Sequence, residues 1–178
     1  MPVGARGARV ALTNEEVRTI KIPAPGKRLS PPITATADVS VGYEPGRPIL
    51  TDLSLRIDND DRIALLGSNG NGKSTLVKLL AGKLAPEIGT ITRAATLKVG
   101  YFAPHQVDEL DMDGSPSDHV RRLLPDMPEA KVRGRVGVIG FSQAAGNTKV
   151  SSLSGGEKAR LLLGLATFAA PHLIILDE

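Results

Sequence analysis

The sequence contains no cysteine. Disulfides and thiolate zinc sites are therefore excluded, and the chain suits a reducing compartment. Aromatic residues make up only 3% of it, so it offers no platform of interleaved rings on which nucleic-acid bases could stack. Long apolar runs are missing too. The most apolar stretch, residues 161–176, is 16 residues long and is broken by Pro171 and His172, which is too short and too interrupted to span a bilayer. Behind Met1-Pro2-Val3-Gly4 come arginines rather than the apolar core of a signal peptide. These absences set the expectation of a cytoplasmic chain without direct membrane insertion, whose membrane role, if any, would need a partner.

What is present describes an ordinary globular chain. With 178 residues, 41% hydrophobic and 23% charged, it has room for one domain with a proper core. The pI near 9.3 suggests a nucleic-acid partner only until the charge is located. Residues 1–32 carry six basic groups against Glu15 and Glu16, a net of +4, and the remaining 146 residues sum to −1. The basic segment fits a solvated linker as well as a nucleic-acid contact. Prolines 23, 25, 31 and 32 crowd its end, and the expectation is a partly disordered linker over 1–32 followed by a folded unit over 33–178.

The densest chemistry lies in Gly67-Ser68-Asn69-Gly70-Asn71-Gly72-Lys73-Ser74-Thr75, which fits the phosphate-binding pattern G-x-x-x-x-G-K-[ST]. Ile63-Ala64-Leu65-Leu66 before it reads as a short buried strand. Leu76, Leu79 and Leu80 after it recur at helical spacing, with Gly82 as a stop. Strand, glycine loop and helix together set it apart from a glycine-rich turn that binds nothing. Glycines let a backbone wrap closely around a polyphosphate, and the helix N-terminus aims its amides at it. Lys73 is suited to the β- and γ-phosphates, and the Ser74 hydroxyl to Mg²⁺.

The rest of the chain alternates short strands with helices. Ile33, Ala35, Ala37, Val39 and Val41 share one face of a period-2 strand, Leu53, Leu55 and Ile57 mark a second, and residues 88–92 and 96–102 two more. The acidic run from Asp108 to Asp113 reads as a solvated loop. Ser115-Pro116-Ser117-Asp118 spells a capping box with proline at the first helical position, and another helix is expected from about Pro128. A glycine cluster at Leu153-Ser154-Gly155-Gly156-Glu157 opens a helix carrying Leu161, Leu162, Leu165 and Phe168. Leu173-Ile174-Ile175-Leu176 then forms a buried-strand run ending in Asp177-Glu178. At such a strand end Asp177 can hold Mg²⁺ through water, and Glu178 can polarise an attacking water as general base.

Taken together, the phosphate loop, the Leu-Ser-Gly-Gly-Glu run and the acidic strand end resemble the Walker A, signature and Walker B motifs of ATP-binding cassette (ABC) proteins, in that family's order and spacing. Val39-Ser40-Val41-Gly42-Tyr43, Val99-Gly100-Tyr101-Phe102 and the entry Leu29-Ser30-Pro31-Pro32-Ile33 are similar to the F subfamily. Its members carry two cassettes on one chain, lack a transmembrane part and commonly act on the ribosome. The resemblance implies an α/β P-loop NTPase cassette with an antiparallel β portion and a helical insert at about 115–150. Residues 29–178 resemble the second cassette and residues 1–28 the tail of the linker before it, and the resemblance implies a cassette truncated after the Walker B strand. It further implies ATP and Mg²⁺ as ligands, and Tyr43 against the adenine, a position where a strand-end core tyrosine is the plain alternative. Ser154, Gly155, Gly156 and Glu157 would contact ATP held by a second cassette, with the ribosome or tRNA as a further partner. The family places its Q-loop glutamine directly after Phe-Ala; this chain has Pro104 there, and Gln106 serves only if the loop shifts by two residues.

Competing readings are the ATP-binding subunit of a transporter and a non-catalytic truncated remnant. Zinc-bearing DNA-repair cassettes are disfavoured by the lack of cysteine. The three histidines, His105, His119 and His172, all precede Asp177, so none fills the family's switch position by order, and they read as surface or packing residues. In the fold this sequence resembles, a strand following Walker B lies between Ile63–Leu66 and Leu173–Leu176. None follows Glu178 here, and the chain alone is expected to be inactive and loosely folded.

Overall fold

Which elements form follows from local pattern; where they sit follows from what each can bury. The structure is a computed structural model that describes residues 20–177. The first 19 residues of the expected linker, and Glu178, lie outside the described residues. Three strands, β1 (Thr34–Val41), β2 (Leu50–Ile57) and β3 (Ile88–Arg93), make an antiparallel sheet in the order β2-β1-β3. Two more, β4 (Val99–Phe102) and β5 (Leu173–Leu176), pair in parallel with Tyr101 opposite Ile175. Between β2 and β3 in sequence runs α1 (Lys73–Leu80), and its apolar residues serve both sheets. Leu79 packs with Val39 and Val41 of the antiparallel sheet, whereas Val77 and Leu80 pack with Ile33, Ile57 and Ile175.

The helical portion is α2 (Pro116–Leu123), α3 (Glu129–Val138), α4 (Gln143–Gly146) and α5 (Gly155–Thr167). It has its own core, built on Val120, Val132, Val136, Ile139, Phe141, Val150, Leu161 and Leu162. The capping box at Ser115 forms as its spelling requires. Asp118 N–H donates to Ser115 Oγ at 3.2 Å, and Ser115 N–H to Asp118 Oδ2 at 2.8 Å. Glu129 opens α3 directly after Pro128, and Gly82, at φ 76°, follows the end of α1. The acidic run is more than a solvated loop. Asp111 Oδ1 accepts from Asp113 N–H and Gly114 N–H, and the Arg122 guanidinium pairs with its other oxygen. His119 is buried, and its Nε2 accepts from Asp111 N–H while Nδ1 faces Ser115 O at 2.9 Å, which fixes the Nδ1–H tautomer.

Two sequence expectations about strands change. The apolar alternation along β1 breaks at Asp38, whose φ of 49° marks a bulge with register shifts on both flanking ladders. An inserted residue flips the face, so Ala37 is exposed while Thr34 and Thr36 are buried. The second change is larger: Ile63–Leu66 forms no strand. Leu66 is 92% exposed, and Ile63 and Leu65 are exposed as well. A strand exists through its ladder, and among the described residues no neighbouring strand pairs with this segment. On the other side β5 pairs with β4 alone, leaving Leu176 65% exposed while Ile175 is buried.

The described part of the leading segment has no helix or strand but is tied down. Asn59 Nδ2 donates to Leu29 O at 2.7 Å, and the imidazole of His172 bridges Lys98 N–H and Lys27 O at 3.1 Å each. Since His172 Nδ1 accepts, Nε2 carries the proton. His172 is thus a strand-entrance clip.

Candidate functional site

The loop at 67–72 is open and ends where α1 begins. Gly72 is the N-cap at φ 77°, and a Cβ there would come within 2.6 Å of Leu50 Cδ2, so both conformation and space call for glycine. Its side is bare of any capping group. Leu76 N–H donates to Gly72 O at 2.9 Å as the first bond of the helix, so the amides of Lys73, Ser74 and Thr75 have no intrahelical acceptor. Those amides, with the positive end of the helix, suit an anion. Lys73 folds back over the loop, donating to Gly67 O at 2.6 Å and Ser68 O at 2.9 Å. An ammonium held by two carbonyls in the open is a cation poised over an anion site.

Beside this loop the chain brings together residues far apart in sequence. Ser74 Oγ donates to Asp177 Oδ1 at 3.3 Å, and Tyr101 Oη donates to Asp177 Oδ2 at 2.8 Å. Loss of water around the phenol, and then the adjoining Asp177 carboxylate, push the Tyr101 hydroxyl well above its ordinary value, which keeps it a donor. Mg²⁺ prefers a few hard oxygen donors and leaves its other positions to water and phosphate. A hydroxyl and a carboxylate oxygen meeting at an anion site have that chemistry. Among the described residues no cluster of three or more His, Cys, Asp or Glu side chains forms a complete protein cage, as a Zn²⁺ site would require. The donor set fits Mg²⁺.

A second helix start carries the Leu-Ser-Gly-Gly-Glu run. Ser154 caps α5, accepting from Glu157 N–H at 3.3 Å, and Glu157 Oε2 accepts from Ser154 N–H and Ser154 Oγ at 2.9 Å each. Ser154, Gly155 and Gly156 are exposed, and a Cβ at either glycine would meet nothing within 4 Å. Among the described residues no hydrogen bond joins Ser154, Gly155 or Gly156 to the loop at 67–75.

The family profile described as ABC transporter matches residues 50–178. The chain belongs to the ATP-binding cassette family. Its relatives are of the F type. It is 40% identical over 166 residues to ABC transporter F family member 3 of Arabidopsis thaliana, covering 93% of this chain and 23% of that protein. It is 46% identical over 147 residues to the probable ATP-binding protein YheS of Escherichia coli K12 (83% of this chain, 23% of that one). Protein GCN20 of Saccharomyces cerevisiae is 37% identical over 165 residues (92% and 22%). The cassette thus spans a quarter or less of the length of these curated relatives. Among solved structures, cbiO1 from Clostridium perfringens, part of the ABC transporter complex cbiONQ, aligns with a TM-score of 0.64 at 23% identity. It covers 85% of this chain and 66% of that one, and speaks for the fold alone. Among the described residues no helix is long and apolar enough to cross a membrane.

The remaining cassette positions can now be placed. Tyr43 is 52% exposed, with the Lys78 ammonium 5.1 Å from its ring centre and donating to its hydroxyl at 3.2 Å. Partial desolvation raises its phenol, but hydrogen bonds with Thr75 and Lys78 outweigh that and lower it on balance. The ring is a surface group beside α1, not the core tyrosine of the plain alternative. Gln106 is turned inward at 7% exposure: its Oε1 accepts from Ala103 N–H at 3.1 Å and its Nε2 donates to Glu109 at 3.3 Å. It braces the 3-10 turn after β4, and among the described residues no hydrogen bond links it to Ser74 or Asp177. Three contributors carried no site role in the sequence: Tyr101, Lys78, and Lys83, whose ammonium sits 4.3 Å from the Tyr101 ring centre. Alternation along β4 did put Tyr101 on one face. The missing information was the parallel register that brings that face to Asp177.

Proposed function

We propose that this chain binds ATP with Mg²⁺ at the loop 67–75 and serves, in its parent protein, as one half of an ATP-hydrolysing pair of cassettes acting on the ribosome. The observation that carries the reading is the meeting of Ser74 and Asp177, 103 residues apart, beside a glycine loop covered by Lys73. In this reading Lys73 exchanges its two carbonyl partners for the β- and γ-phosphates. The amides of Lys73, Ser74 and Thr75 cradle the same anion, Ser74 and Asp177 hold the metal, and Tyr43 lies against the adenine. Bound Mg²⁺ supplies neutralisation of charge on the phosphate oxygens. Glu178 is the general base that orients the attacking water, and Ser154, Gly155, Gly156 and Glu157 meet the γ-phosphate on a second cassette. Two half-sites must close for turnover, so the chain by itself binds nucleotide and hydrolyses at background. Likeness to F-type proteins supports a ribosomal rather than a membrane partner, and a cytoplasmic place.

Isothermal titration of the chain with ATP tests the reading. Lys73→Ala should weaken binding about tenfold or more, roughly 1.4 kcal/mol. Equal affinity of both proteins, or no binding by the unaltered one, would overturn it.

A further inference from the structure

We propose that Tyr101 is a positioning residue for the metal-binding carboxylate: its hydroxyl ties down one oxygen of Asp177 and so presents the other to Ser74 and Mg²⁺. The inference rests on the Mg·ATP reading above and adds a residue to it.

The argument begins with the backbone. Tyr101 lies opposite Ile175 in the parallel pair, and Asp177 N–H donates to Phe102 O at 2.9 Å, which extends the ladder to the carboxylate itself. Ile175 and Asp177 are two apart, so the Asp177 side chain returns to the face that Tyr101 occupies. Its own carboxylate could still turn about two single bonds at an open strand end. The bond from Tyr101 Oη to Oδ2 at 2.8 Å removes that freedom, and Oδ1 is left 3.3 Å from Ser74 Oγ. The two oxygens therefore have divided duties.

Tyr101 is itself held in place. Its ring packs with the buried cluster of Ile33, Ile57, Val77, Leu80 and Ile175, and the Lys83 ammonium caps it at 4.3 Å. A donor on a fixed ring is the kind of outer partner that orients a metal ligand, and loss of such partners typically costs 10–100-fold in metal affinity. Since Mg²⁺ tolerates little departure from octahedral geometry, it is more sensitive than Ca²⁺ to a carboxylate that swings.

The test is the gain in ATP affinity that Mg²⁺ confers. Titrate the chain and Tyr101→Phe with ATP in EDTA and again in excess Mg²⁺, and record thermal melting of both. Phenylalanine keeps the ring, its packing and the Lys83 contact. Affinity in EDTA should be unchanged, while the Mg²⁺-dependent gain should shrink about tenfold. In an Asp177→Asn background, Tyr101→Phe should remove nothing more from that gain, because the two act through one bond. Equal Mg²⁺ gains for both proteins would overturn the inference. So would a loss of equal size in EDTA, or losses that add in the double variant, either of which marks Tyr101 as a packing residue. Failure of the unaltered chain to bind ATP under either condition would overturn the nucleotide reading and take this inference with it.

Discussion

Two helices of this cassette begin at glycine-rich sequences assigned to phosphate, and they begin differently. At α1 the N-cap is Gly72 with no side-chain cap, and the first amides are left for something else. At α5 the N-cap is Ser154, locked with Glu157 in a reciprocal capping box. The first start is unfinished without an anion, and Lys73 spends its charge on loop carbonyls meanwhile. The second is complete in itself. A helix start that satisfies its own amides is stable without ligand and offers a formed surface. One that does not is a site first and a structural element second. The same contrast appears in the glycines: Gly72 is confined by φ and by Leu50, while Gly155 and Gly156 face open space.

The sharpest way to break this comparison is to add side chains at both starts. Gly72→Val forces a β-branched residue into φ 77° and against Leu50. It should lower the melting temperature by several degrees and abolish measurable ATP binding. Gly155→Ala has room for its methyl and a better helix former in place, and should leave melting unchanged or slightly higher. Similar losses at both positions would erase the distinction.

A smaller effect comes from opening the closed start. Ser154→Ala removes the cap and should cost about 1 kcal/mol. That corresponds to roughly 2–4 °C in melting temperature for a chain of this size. ATP affinity of the chain alone should not change. A calorimetric loss of affinity would mean that this helix start already serves the loop.

The smallest effect uses acid at another capped helix, α2. Hydrogen bonds from Ser115 hold the Asp118 carboxyl below its ordinary 3.8. A depressed folded value contributes stability above the unfolded value, and that contribution is lost as pH falls through the folded one. Melting temperature should therefore decline below about pH 4, and Asp118→Asn should flatten that decline. A variant whose acid profile matches the parent's would show that the box does not feel the proton.

How far the fold and the candidate site were legible depended on the range of the forces involved. Ser115, Ser154 and Gly82 announce helix ends because caps are settled within three or four residues. The loop at 67–75 was readable for the same reason. By contrast, the bulge at Asp38 reverses the face of Ala37, Thr34 and Thr36, and nothing local foretells where a strand takes an extra residue. Ile63–Leu66 looks like a strand because its side chains suit one, but a ladder belongs to two strands. Gln106 serves the family's glutamine position only through a two-residue shift of the loop, which the spelling around Pro104 does not decide, and its amide is hydrogen-bonded to Ala103 and Glu109. Tyr101 needed the register with β5, which no alternation encodes.

Gly100 makes one part of this molecule a ruler. A Cβ there would lie 2.6 Å from Ala166 O, so β4 and the end of α5 touch backbone to backbone with no side chain between them to give. From Ala166 back to Ser154 is twelve residues, about 18 Å of helix. The capped serine is therefore held at a fixed span from the strand pair that carries Asp177. One residue added to α5 would advance that serine by about 1.5 Å and turn it by about 100°, so the length of this helix sets the aim of its tip.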